Sequence, residues 1–289
     1  MSESESASAH GDEGGQGDGP RPGTVLVTGC EDVVGAATAR RFASAGWTVY
    51  AAGQSEPAVS ELTAAGCRTV GLDPTDPEEP ERVVTEVLEE TGQLDCLVIN
   101  DGHVQRGAVE DVPPRKVRRQ FDRGVLGVHR LLRATVPHMR AGEEGRIVVV
   151  SGVAGRLSPP GLGIHASARF ALEGLSDALR AELSSHGIEV VVVQPGPIEG
   201  RFGTEETVAA EDRSAVYEAL YQLYDDLDLA GGAALTPPDK VADVIQQAAT
   251  RADPAPRYPV GRVASVLLWA RFFPDTIRDA VYDVIRRMV

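Results

Sequence analysis

Beyond residue 23 the chain alternates short, mainly apolar runs with longer stretches whose apolar residues recur every three or four positions. The runs Thr24–Thr28, Thr48–Ala52, Arg68–Leu72, Leu94–Ile99, Arg146–Ser151 and Ile188–Gln194 show little inside–outside alternation. That predicts strands buried on both faces, as in a parallel sheet covered by helices. Between them the spacing predicts helices at Ala36–Ala45, Pro57–Ala65, Pro77–Thr91, about Pro114–Arg140 and His165–Ser185, the first closed by Gly46. Strand–helix alternation of this kind is the pattern of an α/β fold, a single-domain doubly wound parallel sheet of Rossmann-like type.

The regularity loosens after Pro195-Gly196-Pro197. Thr204–Leu229 is an acidic, Tyr-containing helical stretch between Gly203 and Gly231-Gly232. Pro237–Thr250 reads as a helix with Pro238 and Asp239 in its first turn, and Arg257–Gly261 as an edge strand. Arg262–Val289 reads as one or two amphipathic helices, with the apolar face packed on the domain or a partner subunit rather than on lipid. Residues 1–22 are rich in Ser, Gly and Glu, without Lys or Arg before Arg21, and are expected to form a disordered tail. The expected organisation is a tail at 1–22, a domain at 23–261 with a helical lid at about 200–235, and a C-terminal helical extension at 262–289.

Composition narrows the partners. A net charge of −15 argues against nucleic acid and anionic membrane. Of 28 basic residues only Lys116 and Lys240 are Lys. High salt, which screens self-repulsion, and a GC-rich genome both account for that bias. Three cysteines, Cys30, Cys67 and Cys96, lack metal-ligand spacing and suit a reducing cytoplasmic setting. His103, His129, His138 and His186 are scattered, so no metal site is expected. No apolar stretch is long enough to predict a membrane span.

Candidate chemistry gathers at strand ends. The first strand runs through Thr28-Gly29-Cys30-Glu31-Asp32-Val33-Val34-Gly35 into a helix, the arrangement in which glycines let backbone approach a pyrophosphate. Cys30 lies at that helix N-terminus, where its thiol is either activated or simply a small loop residue. Asp73 follows the third strand, Asn100-Asp101-Gly102 the fourth, and Pro195-Gly196-Pro197-Ile198 the last. Together with the segment from Gly145 to Leu183, these residues resemble the short-chain dehydrogenase/reductase family over roughly Pro22–Gly261.

The resemblance implies a nucleotide site made by Gly29, Glu31, Val34, Gly35, Asp73, Asn100, Gly102, Pro195, Gly196 and Ile198. It also implies departures. Val33 replaces the middle loop glycine, where a β-branched residue forced to positive φ would be strained and would crowd the phosphates. Glu31 and Asp32 add negative charge, and Gly200 replaces the Thr that grips the carboxamide. Asn100 and Gly102 equally fit a purely structural turn. Gln54-Ser55 after the second strand offer neither the acid that selects NAD nor the Arg that selects NADP. NAD or NADP is therefore expected to bind weakly, with no readable preference.

At the reaction centre the family places Asn, Ser, Tyr and Lys; the matching positions are Gly124, Gly152, His165 and Arg169. His165 is the remaining group able to move a proton, with an ordinary pKa near ~6.5. Arg169, one turn on, would push that value down and cannot relay protons itself. His165 is either an acid–base group or a space-filler. Ser158 has no base at a recognisable spacing.

The expected function is a degenerate binding or partner subunit. The alternative is an active NAD(P)-dependent oxidoreductase using His165 on a small or lipid-like alcohol or ketone; an isomerase or lyase is a third class. The resemblance also implies a homodimer or homotetramer, or a hetero-oligomer with an active relative. The seam would be formed by the helices Val117–Arg140 and Ala166–Ser185.

Overall fold

The computed structural model describes residues 22–200, 206–230, 235–270, 272–274, 276–277 and 279. The expected tail at 1–21, the ends of the lid and most of the segment after Ala270 lie outside the described residues. Seven strands form one parallel sheet: β1 (Thr24–Val27), β2 (Thr48–Gly53), β3 (Arg68–Gly71), β4 (Cys96–Ile99), β6 (Gly145–Val150), β7 (Ile188–Pro195) and β9 (Arg257–Val260). Their order is β3-β2-β1-β4-β6-β7-β9. The sheet is the expected doubly wound one.

Successive residues of a strand point to opposite faces, so the sheet carries two cores. On one face Val25, Val27, Val98, Val148 and Val191 pack with Val34 and Phe42 of α1 (Val33–Ser44) and Ile245 of α8 (Pro238–Thr250). On the other, Leu26, Leu97, Ile99, Ile147 and Val190 meet three further helices. These contribute Val83 from α3 (Glu79–Thr91), Leu131 from α5 (Val128–Ala141) and Leu172 from α6 (Gly163–Leu183).

Three details differ from the sequence reading. The helix expected at Pro57–Ala65 is a single α turn, α2 (Glu56–Val59), continued as a 3-10 turn at Ser60–Ala65. The long helix after β4 is interrupted: α4 (Pro114–Phe121) and α5 flank a π turn at Asp122–Gly127. A side chain on Gly127 would come within 2.6 Å of Pro74 Cβ, so the chain passes close to the β3 end there. A two-residue pair, β5 (Gln105–Arg106) with β8 (Glu206–Thr207), ties the start of the lid to the segment after β4. Such short strands have no pattern to read.

The apolar face of the C-terminal segment does not pack on the domain where it is described. In α9 (Arg262–Ala270) Ala264 is buried, but Val266 and Trp269 are about 70% exposed, and Phe272 beyond it is similarly open. The helix follows the sheet's last strand, and Ala264 reaches Gly196, leaving the opposite face beyond the sheet edge. Among the described residues no helix is long and apolar enough to cross a membrane.

Candidate nucleotide and reaction site

In an open sheet, ligands bind beyond the carboxyl ends of the strands where the order reverses, here between β1 and β4. The residues expected there do assemble. Gly29 has φ +63, and a side chain on it would overlap the Asn100 carbonyl. A side chain on Gly35 would overlap the carbonyl of Gly29. Thr28 Oγ1 donates to the Asn100 carbonyl at 3.2 Å and accepts from its N–H at 3.1 Å. Asn100 Nδ2 donates to the Gly29 carbonyl at 3.1 Å. Gly29, Gly35 and Asn100 thus lock the β1 and β4 ends together, the structural role left open above.

Val33 overturns one expectation. It is the first residue of α1, and among the described non-glycine residues only Glu143 has positive φ, so no strain is stored at Val33. The turn is made one position earlier, with Asp32 as N-cap: its carboxylate accepts from Val34 N–H at 3.4 Å and from Asn100 Nδ2 at 3.2 Å. The positive end of α1, where a phosphate would sit, therefore already carries an anion. A Cβ on Gly200, itself at φ +79, would meet Val33 Cγ1 at 3.4 Å, so Val33 reaches across to the loop after β7. Two departures far apart in sequence are neighbours in space.

Glu31 turns toward the end of β2, where a Cβ on Gly53 would meet its Oε2 at 3.0 Å. Burial pushes its carboxyl above the usual range, against backbone amides and Arg123 that favour the anion. Arg123, from the π turn, was not anticipated. Its Nη1 donates to Gln54 Oε1 at 3.3 Å, with Glu31 Oε1 at 3.7 Å and Asp101 Oδ1 at 4.0 Å from the guanidinium. Asp73 is engaged locally: Oδ1 accepts from Thr75 N–H at 2.9 Å and Thr75 Oγ1 at 2.8 Å. Its own N–H donates to Glu79 at 2.6 Å. Cys30 is not activated. Burial pushes its thiol well above the ordinary value, and Sγ donates to the Val27 carbonyl at 3.2 Å.

Beside Gly124 lies a buried ion pair. Arg169 is 3% exposed; Nη2 donates to the Asp101 carbonyl at 2.5 Å, and Nη1 to the Val150 carbonyl at 3.3 Å. The same Nη2 lies 3.6 Å from Asp101 Oδ2. A Cβ on Gly124 would stand 3.1 Å from that Oδ2, so the Asp101 carboxylate fills space beside the missing side chain. Gly152 has φ +151, a conformation that a side chain strains. His165 is buried in the first turn of α6, one turn before Arg169. Pro195, Gly196 and Ile198 line up beside the sheet end: Gly196 N–H donates to Val260 at 3.1 Å, and Ile198 bridges to Thr236. The sequence reading did not single out Asp101 and Arg123 as actors; the signals for them were a charge inside the Asn100–Gly102 turn and a charge next to Gly124.

Two further polar clusters frame the site. Asp111 accepts from Ser214 Oγ at 2.6 Å and from Tyr221 Oη at 2.8 Å, fastening the lid, including α7 (Glu218–Ala230), to the segment after β5. On α6, buried Glu173 accepts from Gln194 at 2.7 Å and pairs with Arg156 at 2.9 Å and Arg257 at 3.1 Å.

A doubly wound parallel sheet with a glycine turn at its switch point defines a nucleotide-binding class of fold. Within that class the family described as short chain dehydrogenase matches residues 23–211. The uncharacterized oxidoreductase YbbO of Escherichia coli is 31% identical over 260 residues, which span 89% of this chain and 93% of that protein. A short-chain dehydrogenase from Streptomyces avermitilis superposes with TM-score 0.79 at 29% identity, covering 93% of this chain and 98% of that one. A short-chain dehydrogenase/reductase from Burkholderia phymatum, solved with NAD, gives TM-score 0.73 at 22% identity over 85% of this chain and 92% of that one. The chain belongs to the short-chain dehydrogenase/reductase family of oxidoreductases.

Proposed function

We propose that this chain is a member of the family without its hydride-transfer centre, serving as a binding or partner subunit in the cytoplasm. The observation that carries the reading is the Asp101–Arg169 pair beside Gly124. Buried charge stands where the family aligns proton-transfer groups, and neither Gly124 nor Gly152 can supply one. The domain is taken as 23–261 with its lid at about 200–235 and an extension at 262–289.

NAD or NADP, the cofactor class of the fold, does not fit these residues well. Asp32 caps the helix end that would receive the pyrophosphate, Glu31 and Asp101 add two carboxylates, and Val33 reaches Gly200. Gly29, Glu31, Val34, Gly35, Asp73, Asn100, Gly102, Pro195, Gly196 and Ile198 remain the residues that would touch such a ligand. Losing two contacts at about 1.4 kcal/mol per tenfold moves a micromolar site to roughly 0.1 mM or weaker. Calorimetry of the full chain with NADH and NADPH should therefore show weak binding. Micromolar affinity for either one overturns the reading.

His165, one turn from Arg169, supports a second reading: atypical turnover of a small or lipid-like alcohol or ketone. Any such activity should vanish in His165→Ala; activity that survives the substitution eliminates this alternative. A homodimer, or pairing with an active relative, is supported by the groove between α5 and α6, where Val136, Leu175 and Leu179 are half-buried. A strictly monomeric mass in high salt rejects that assembly.

A further inference from the structure

The crevice at the switch point is filled from within the chain. Arg123 enters it from the π turn and touches three strand ends: Gln54 after β2 at 3.3 Å, Glu31 after β1 at 3.7 Å and Asp101 after β4 at 4.0 Å. Its side chain is 11% exposed. The space left is about 30 Å³, room for about two water molecules. Around the guanidinium the crevice is lined by apolar Leu72, Ile99, Val128 and Leu131 together with Gly29 and Gly102, a lining that suits a flat base.

We propose that Arg123 determines what this crevice accepts: a tethered cation lying in the ribose position, which excludes adenine nucleosides and dinucleotides while it stays there. The proposal rests on the reading of the crevice as a vacated dinucleotide site. One hydrogen bond, to Gln54, holds the guanidinium, and the rest of the hold is electrostatic. Both carboxylates lie beyond hydrogen-bond distance, and among the described residues Arg123 Nε and Asp101 Oδ2 make no hydrogen bond. An Arg near the ribose can instead accept a 2′-phosphate. Here carboxylates at 3.7 and 4.0 Å flank the guanidinium and would repel one.

The test is calorimetry of the full chain, wild type against Arg123→Ala and against Arg123→Met, which keeps the packed stem. Adenosine, NADH and NADPH are the ligands, with a thermal melt to confirm folding. Removing the cation should tighten adenosine at least about tenfold. NADH should gain less until Asp32→Ser and Val33→Gly free the helix end. Unchanged adenosine affinity in both folded variants overturns the proposal. So does a loss of NADPH affinity, which would make Arg123 a phosphate receptor. Micromolar NADH binding by the wild type would defeat the functional reading instead, and the adenosine comparison would still judge Arg123 alone.

Discussion

The two ends of the crevice are built on different terms. At the β1–β4 junction Thr28, Gly29 and Asn100 bond to one another's backbone, so the motif residues there are also the bracing of the sheet. At the β6 end Gly124 and Gly152 brace nothing with side chains, and the space beside them holds Asp101 and Arg169. Residues at the β1–β4 junction are thus tied down by close backbone approach, which makes them bracing as well as motif.

The sharpest way to break this comparison is Gly29→Ala. The residue sits at φ +63 with the Asn100 carbonyl in the path of a Cβ, so a loss of about 3 kcal/mol or more is expected in denaturant unfolding. Near wild-type stability would mean that the junction is not a brace.

The next test concerns the reaction end. Gly124→Asn should collide with Asp101 and cost about 1–3 kcal/mol. Asp101→Ala leaves Arg169 buried without its carboxylate and should cost about 3 kcal/mol. In the double variant the Asn has room, so a double-mutant cycle should return a coupling of about 1 kcal/mol or more. Simple additivity would deny that the carboxylate occupies the vacated space. Restoring the family residues one by one should also fail at Gly152, because φ +151 strains any side chain there.

The smallest expected effect lies at the lid. Hydrogen bonds from Ser214, opposed by burial, hold the Asp111 carboxyl below its ordinary value. A depressed folded pKa gives stability that is present above the unfolded Asp range and is lost as pH falls through the folded value. Amide protection in 206–230, taken relative to the intrinsic exchange rate at each pH, should thus persist near neutrality and fall only in strong acid. A fall already near pH 6 would rule out the Asp111 latch. Asp111→Asn should lower the protection at every pH.

Much of this was legible in the chain. The parallel sheet followed from apolar runs, and Gly29, Gly35 and Asn100 from their places at strand ends, because strand burial and tight turns are local demands on residue type. Val33 shows where local reading fails: it was expected to sit at positive φ, but Asp32 takes the cap and α1 begins one residue later. In the described part of the C-terminal segment the apolar stripe is open rather than packed on the domain, since period alone gives a stripe but not whether anything lies opposite it.

By itself, then, the sequence determined the α/β architecture and the strand ends that carry a nucleotide motif. Only the tertiary structure decided what lies within the crevice and beside Gly124. Arg123 meets Gln54 across 69 positions, and Arg169 meets Asp101 across 68. These partners share no periodicity or spacing. The order of strands in the sheet brings their ends together, and the low polarizability of a closed crevice then makes each charge seek the other.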